Sequence, residues 1–223
     1  MKIYHYTRID KWDDIKRGSW KSREKPGLGA SRRLGRTDLE AWETAGVFGL
    51  LEPIPPKWTQ SEHFKNIWGH LKGNIGELLL EIEVDADKDS DVFVLDRGHV
   101  EGFLYEDKKG IPDKYIHDKR GEAERAYMES KIPIKDYLSK QNELDYSLPE
   151  IIITKDTPFE KLNISEFQPL VEEELTNRKG EYREELVNKI KSIPELKQWF
   201  DLYQERSKEL RQEREKNFRE KRR

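Results

Sequence analysis

The strongest apolar stretches of this chain are each the length of a single strand. "AGVFGLLEP", "GELLLEIEVD", "VFVLD" and "LPEIIIT" are rich in β-branched and aromatic residues, and each is closed by proline, aspartate or threonine. No apolar run approaches the roughly 18 residues needed to cross a bilayer as a helix. The side chains are 34% hydrophobic and 39% charged, so the core is modest and the surface heavily solvated. A length of 223 residues leaves room for one compact domain with an appendage, or for two small domains. The pattern predicts an α+β fold.

The opening segment "KIYHYT" alternates Ile3, His5 and Thr7 with Tyr4 and Tyr6, a strand pattern. Asp10 is placed to cap a short helix in which Trp12 and Ile15 share a face, and Gly18 stops it. A basic loop follows, with Pro26, Gly27, Gly29 and Gly35 among Arg23, Arg32, Arg33 and Arg36. Phe64, Ile67, Trp68 and Leu71 predict a helix over 60–72, and another begins near position 121. The acidic segment between "EIEVD" and "VFVLD" reads as a hairpin turn. Its spaced aspartates imitate a calcium loop but lack the glycine and the closing glutamate that such a loop needs. Thr157, Pro158 and Glu160 form a capping-box pattern, repeated by Ser192, Pro194 and Glu195. The composition shifts near position 166. Residues 1–165 are expected to form the strand-rich domain, and 166–223 a charged helical extension that is basic at its end. In that extension Leu196, Trp199, Phe200 and Tyr203 make one apolar stripe.

Several function classes are disfavoured at once. A net charge of −3 argues against a globally basic nucleic-acid binder. The absence of cysteine excludes a disulfide framework, a thiol nucleophile and a thiolate metal site. His63 and His70 share a helical face without a third ligand nearby, so a zinc site has little support. Neither a phosphate-binding P-loop nor a dinucleotide fingerprint is present. With no apolar leader at residues 1–10, the expectation is a cytoplasmic protein that does not enter a membrane.

The stretch "YHYT", followed by a short Trp/Ile-faced helix and a glycine, resembles the opening of the ADP-ribosyltransferase-like superfamily. The similarity is to its His-Tyr-Glu branch, in the style of small bacterial or phage toxin-type transferases. "AGVFGLLEP" resembles that branch's second strand, with Phe48 where the family has tyrosine. "SLPEIII" places Glu150 where the family has its catalytic glutamate. The resemblance spans roughly residues 2–165. It implies a split antiparallel sheet and a triad of His5, Phe48 and Glu150. It also implies NAD as the substrate, a macromolecular acceptor (protein or nucleic acid), and a partner or antitoxin on the C-terminal helices.

These residue types suit that chemistry. Breaking the nicotinamide–ribose bond passes through an oxocarbenium-like centre, as glycoside cleavage does. A carboxylate such as Glu150 can bind the ribose 2′-hydroxyl and offset the developing positive charge. A neutral His5 can hydrogen-bond ribose, with Thr7 beside it on the strand. The peptide of Tyr6 can pair with the nicotinamide amide, and the rings of Phe48 and Tyr6 can stack on nicotinamide. Arg23 and Arg32 are candidates for the pyrophosphate, because guanidinium groups match phosphate geometry.

Plainer readings stand beside these. Phe48 can be an ordinary core residue, Glu150 a solvent-facing residue at a strand start, and the arginine loop an ordinary charged loop. At the level of function, the alternatives are a non-catalytic nucleotide or nucleic-acid binding module and an RNA 2′-phosphotransferase-like enzyme. Glu150 argues against the last, because that branch works without a catalytic glutamate.

Overall fold

The computed structural model describes residues 1–18, 25–30 and 46–220. Alternation in "KIYHYT" gives strand β1 (Lys2–Thr7), and a single 3₁₀ turn leads into α1 (Trp12–Arg17). Trp12 and Ile15 are buried, and Gly18 ends the helix at φ 73°. A side chain there would meet the main chain of Lys25 at 2.6 Å, so this stop needs glycine. Asp10 does not cap α1. It pairs with Arg8 instead, because the intervening 3₁₀ turn makes Lys11 the N-cap.

Next in the chain come β2 (Gly27–Leu28), β3 (Val47–Gly49), α2 (Pro56–Thr59), α3 (Ile67–Ile75), β4 (Leu78–Glu83) and β5 (Val92–Asp96). They are followed by α4 (Gly98–Leu104), α5 (Arg120–Glu129), β6 (Ile132–Pro133), α6 (Ile134–Lys140), β7 (Pro149–Ile153), β8 (Thr157–Pro158) and β9 (Leu162–Ile164). The helix expected over 60–72 starts later. Asn66 sits at φ 57°, and Phe64 lies before the helix, buried among core aromatics. Pro56 opens a short helix just beyond the proline that closes the "AGVFGLLEP" segment.

The strands form two antiparallel sheets, ordered β1-β4-β9 and β3-β7-β5-β6, together with the short pair β2-β8. β4 and β5 are therefore not hairpin partners. The acidic segment carries the chain from one sheet to the other, with Asp85 on Lys88, Asp87 on Lys135 and Asp89 on Lys161. Both strands are fully buried over most of their length, so each demands sheet neighbours on either side and neither behaves as an exposed hairpin arm. The Thr157–Glu160 capping pattern also yields no α-helix. Thr157 is a strand residue, and one 3₁₀ turn (Phe159–Lys161) separates β8 from β9.

The two sheets meet at one point. Tyr4 and Leu50 exchange both main-chain hydrogen bonds, at 2.9 and 2.8 Å, so β3 touches β1 there while pairing along its length with β7. Beyond that bridge the two strands part.

The chain divides into two compact units, Met1–Leu170 and Val171–Arg223. The later helices are α7 (Pro169–Asn177), α8 (Glu181–Ser192) and α9 (Pro194–Glu220). Leu186 and Ile190 of α8 and Leu196, Trp199 and Phe200 of α9 are buried, and Trp199 stacks on Tyr203 at 5.4 Å between centroids. No described helix is long and apolar enough to cross a membrane.

Candidate functional site

The parting of β1 and β3 is where the sequence-predicted residues gather. Continuing the ladder past Tyr4–Leu50 would set Tyr6 opposite Phe48, with the Phe48 carbonyl accepting from the Tyr6 amide. Instead the His5 side chain takes that carbonyl, its Nδ1 lying 2.6 Å from Phe48 O. A carbonyl only accepts, so Nδ1 carries the proton. Neutral His5 then keeps Nε2 as an acceptor. Burial pushes the imidazole below its ordinary value and so favours the neutral ring, against the smaller, opposite pull of the Phe48 carbonyl. Strand alternation points the main-chain groups of Tyr6 the same way as those of Tyr4, toward the gap that β3 has left.

Two adjoining hollows of about 290 and 210 Å³ occupy this place. Both are bordered by His5, Tyr6, Phe48, Asn74 and Ile75. Thr7 borders the larger one and Glu150 the smaller. Thus Thr7 and Glu150 border adjoining hollows that share His5, Tyr6 and Phe48, although 145 positions separate His5 from Glu150 in the chain. Arg23 and Arg32, the expected pyrophosphate ligands, lie outside the described residues.

The individual placements differ in kind. Phe48 is half-buried and packs against a cluster containing Leu95, Tyr127 and Ile152 while also bordering the depression. Tyr6 brings main chain and not a ring face. Its side chain is buried, its hydroxyl donates to Pro53 O at 2.8 Å, and its ring meets Trp68 edge-on. The ring stacking expected of Tyr6 is thereby unavailable, because the same ring closes the core beneath β1.

Glu150 is not a solvent-facing residue. It is 3% exposed on β7, opposite Leu95 of β5. The Tyr127 hydroxyl of α5 donates to its Oε2 at 2.8 Å, and Arg97 Nη1 stands 3.6 Å from its Oε1. Arg97 is in turn held by Glu101 of α4, Nε to Oε1 at 2.6 Å. Burial raises the Glu150 carboxyl above its ordinary value, while Arg97 and the Tyr127 hydrogen bond pull the other way. Burial works against the charge on Arg97, but the two carboxylates outweigh it and keep the guanidinium charged.

Asp96 fixes the start of β7, and with it the height of Glu150. Its buried carboxylate accepts from the amides of Gly98, Ser147 and Leu148 and, at 2.6 Å, from the Tyr115 hydroxyl. Gly102 permits the Tyr115 segment to close on α4, since a β-carbon there would fall 2.1 Å from the Tyr115 carbonyl oxygen.

Sequence reasoning missed Asn74 and Ile75, along with the Arg97–Glu101–Tyr127 set. The clue to the first pair is Gly76, which ends α3 at φ 88° where a β-carbon would fall 2.4 Å from the main chain of Thr7. A glycine closing an apolar-faced helix immediately before a strand marks such a close approach. Arg97 and Glu101 are spaced i,i+4, a pattern too common on solvated helices to single out from sequence.

Comparison with family models, with curated proteins and with solved structures finds no match to this chain.

Proposed function

We propose that the chain is an NAD-dependent ADP-ribosyltransferase that transfers ADP-ribose to a macromolecular acceptor. One observation carries the reading: His5 and Glu150, from opposite ends of the first unit, border the same depression at the point where β1 and β3 separate. The separated antiparallel strands are the arrangement that a split sheet of the ADP-ribosyltransferase type would present.

In this reading the nicotinamide amide pairs with the main chain of Tyr6, and Phe48 lies along the nicotinamide ring. Neutral His5, anchored through Nδ1, offers Nε2 to a ribose hydroxyl. Glu150 accepts from the 2′-hydroxyl and stabilises the oxocarbenium-like ribose as nicotinamide leaves. The acceptor's nucleophile then attacks the anomeric carbon, so the C–N bond to nicotinamide is replaced by a bond to the acceptor. Phe48 supplies a ring face but no hydroxyl, so any contact the family tyrosine makes through oxygen is made by another group here.

The test is nicotinamide release from NAD, together with transfer of label to a component of a cell lysate. A stable complex with NAD but no cleavage would instead support a non-catalytic nucleotide-binding module.

A further inference from the structure

We propose that Arg97 and Tyr127 are positioning residues for Glu150: the N-cap of α4 and the body of α5 deliver a cation and a hydroxyl to its two carboxylate oxygens, orienting the group and opposing the proton uptake that burial favours. The inference rests on the transferase reading and adds to it a reason why a carboxylate this buried can do the work assigned to it. An isolated buried carboxylate would take up a proton, since a charge in an apolar interior is far costlier than a neutral acid. Here Oε2 accepts from Tyr127 at 2.8 Å and Oε1 faces Arg97 at 3.6 Å. The two contacts come from the N-cap of α4 and from α5 and reach different oxygens, which fixes the plane of the carboxylate and opposes its protonation.

Glu101 has a distinct part. By binding Arg97 Nε at 2.6 Å it aims the guanidinium so that a different nitrogen, Nη1, lies toward Glu150. Asp96 also acts on Tyr127 through space, and neutral His5 borders the same depression. Tyr127 keeps its proton, because burial and then Glu150 push the phenol well above its ordinary value. It therefore remains a donor over the whole working range.

A purely structural ion-pair cluster would make the same contacts but would leave the pH dependence of turnover untouched. The discriminating experiment follows nicotinamide release against pH for the wild-type full chain and for Tyr127→Phe, Arg97→Gln and Arg97→Lys. In parallel, the Glu150 titration is read by carboxyl NMR on 13C-glutamate-labelled protein, with the resonance assigned by Glu150→Gln. Tyr127→Phe and Arg97→Gln should raise the Glu150 midpoint and move the acid limb of kcat/KM upward with it. They should lower kcat at neutral pH by about tenfold or more while changing KM for NAD much less. Arg97→Lys, which restores the charge, should recover most of the midpoint. Tyr127→Phe keeps the buried ring, so it reports even if Arg97→Gln does not fold. Wild-type release with an unmoved midpoint and acid limb in folded variants overturns the positioning role and leaves the transferase reading standing. No release by the wild type overturns the reading, and this role with it.

Discussion

His5 illustrates how one side chain can decide both geometry and protonation. Its Nδ1–H occupies the Phe48 carbonyl that a continued β1–β3 ladder would have used, so the residue that opens the gap also satisfies the group stranded by it. Because the folded state holds His5 below its usual value, the unfolded chain binds more protons once pH falls under about 6.5. Stability is then fully present above that pH and declines as the pH drops through the folded value. Burial lowers His99 and His117 too, and they contribute with the same sign. Thermal unfolding should therefore show Tm falling between pH 7 and 5, with a shallower fall in His5→Gln. A steeper fall in the variant would show that His5 is not the neutral, half-buried group described here. At Phe48 the expectation concerns binding: Phe48→Leu should weaken NAD through the loss of about 0.5–1.5 kcal/mol of ring contact and affect the bound-state rate less. Isothermal titration and single-turnover release separate the two effects.

At the scale of elements, α3 and β7 set the borders of the depression, and each depends on a small number of residues. Gly76 combines a positive φ with a main-chain approach that would put a β-carbon 2.4 Å from the Thr7 carbonyl carbon. Gly76→Ala should cost on the order of 1–3 kcal/mol and displace Asn74 and Ile75, measured by denaturant unfolding and by loss of NAD affinity. β7 is held by the Asp96 knot at one end and by five buried residues in a row, and those residues were legible as a strand in "LPEIIIT". β1, β3, β4 and β5 were equally legible, because short apolar runs with sharp ends leave few alternatives. Their partners were not legible. "EIEVD" and "VFVLD" lie close in sequence but belong to different sheets, and a local pattern carries no information on which edge a buried strand will join. The Thr157 capping box failed for a related reason. Leu28 pairs with Thr157 across the β2-β8 ladder, so tertiary pairing overrode a sound local helix signal.

On the scale of the whole molecule, the proposed chemistry falls within the Met1–Leu170 unit, and Val171–Arg223 is a second, helical unit with its own buried stripe. The candidate site draws on β1, β3, α3 and β7, so its residues were individually visible in the sequence while their convergence was visible only through the family resemblance. The supporting set of Arg97, Glu101 and Tyr127 was not visible at all, since nothing in their spacing points toward Glu150. If the depression takes NAD, ligand binding to the folded state alone should raise stability by about 2.7 kcal/mol at a hundredfold excess over Kd, read as a higher Tm. A Tm unchanged at millimolar NAD would remove the cofactor from the account.

The most direct test of the central claim is nicotinamide release by wild type and Glu150→Gln, measured at saturating NAD with affinity determined separately. The amide keeps the shape and can still accept from Tyr127, so folding and NAD affinity should be nearly unchanged. The rate should fall by a factor on the order of 10²–10³, because the lost charge acts on the transition state and not on the bound substrate. Full activity in Glu150→Gln would contradict the account.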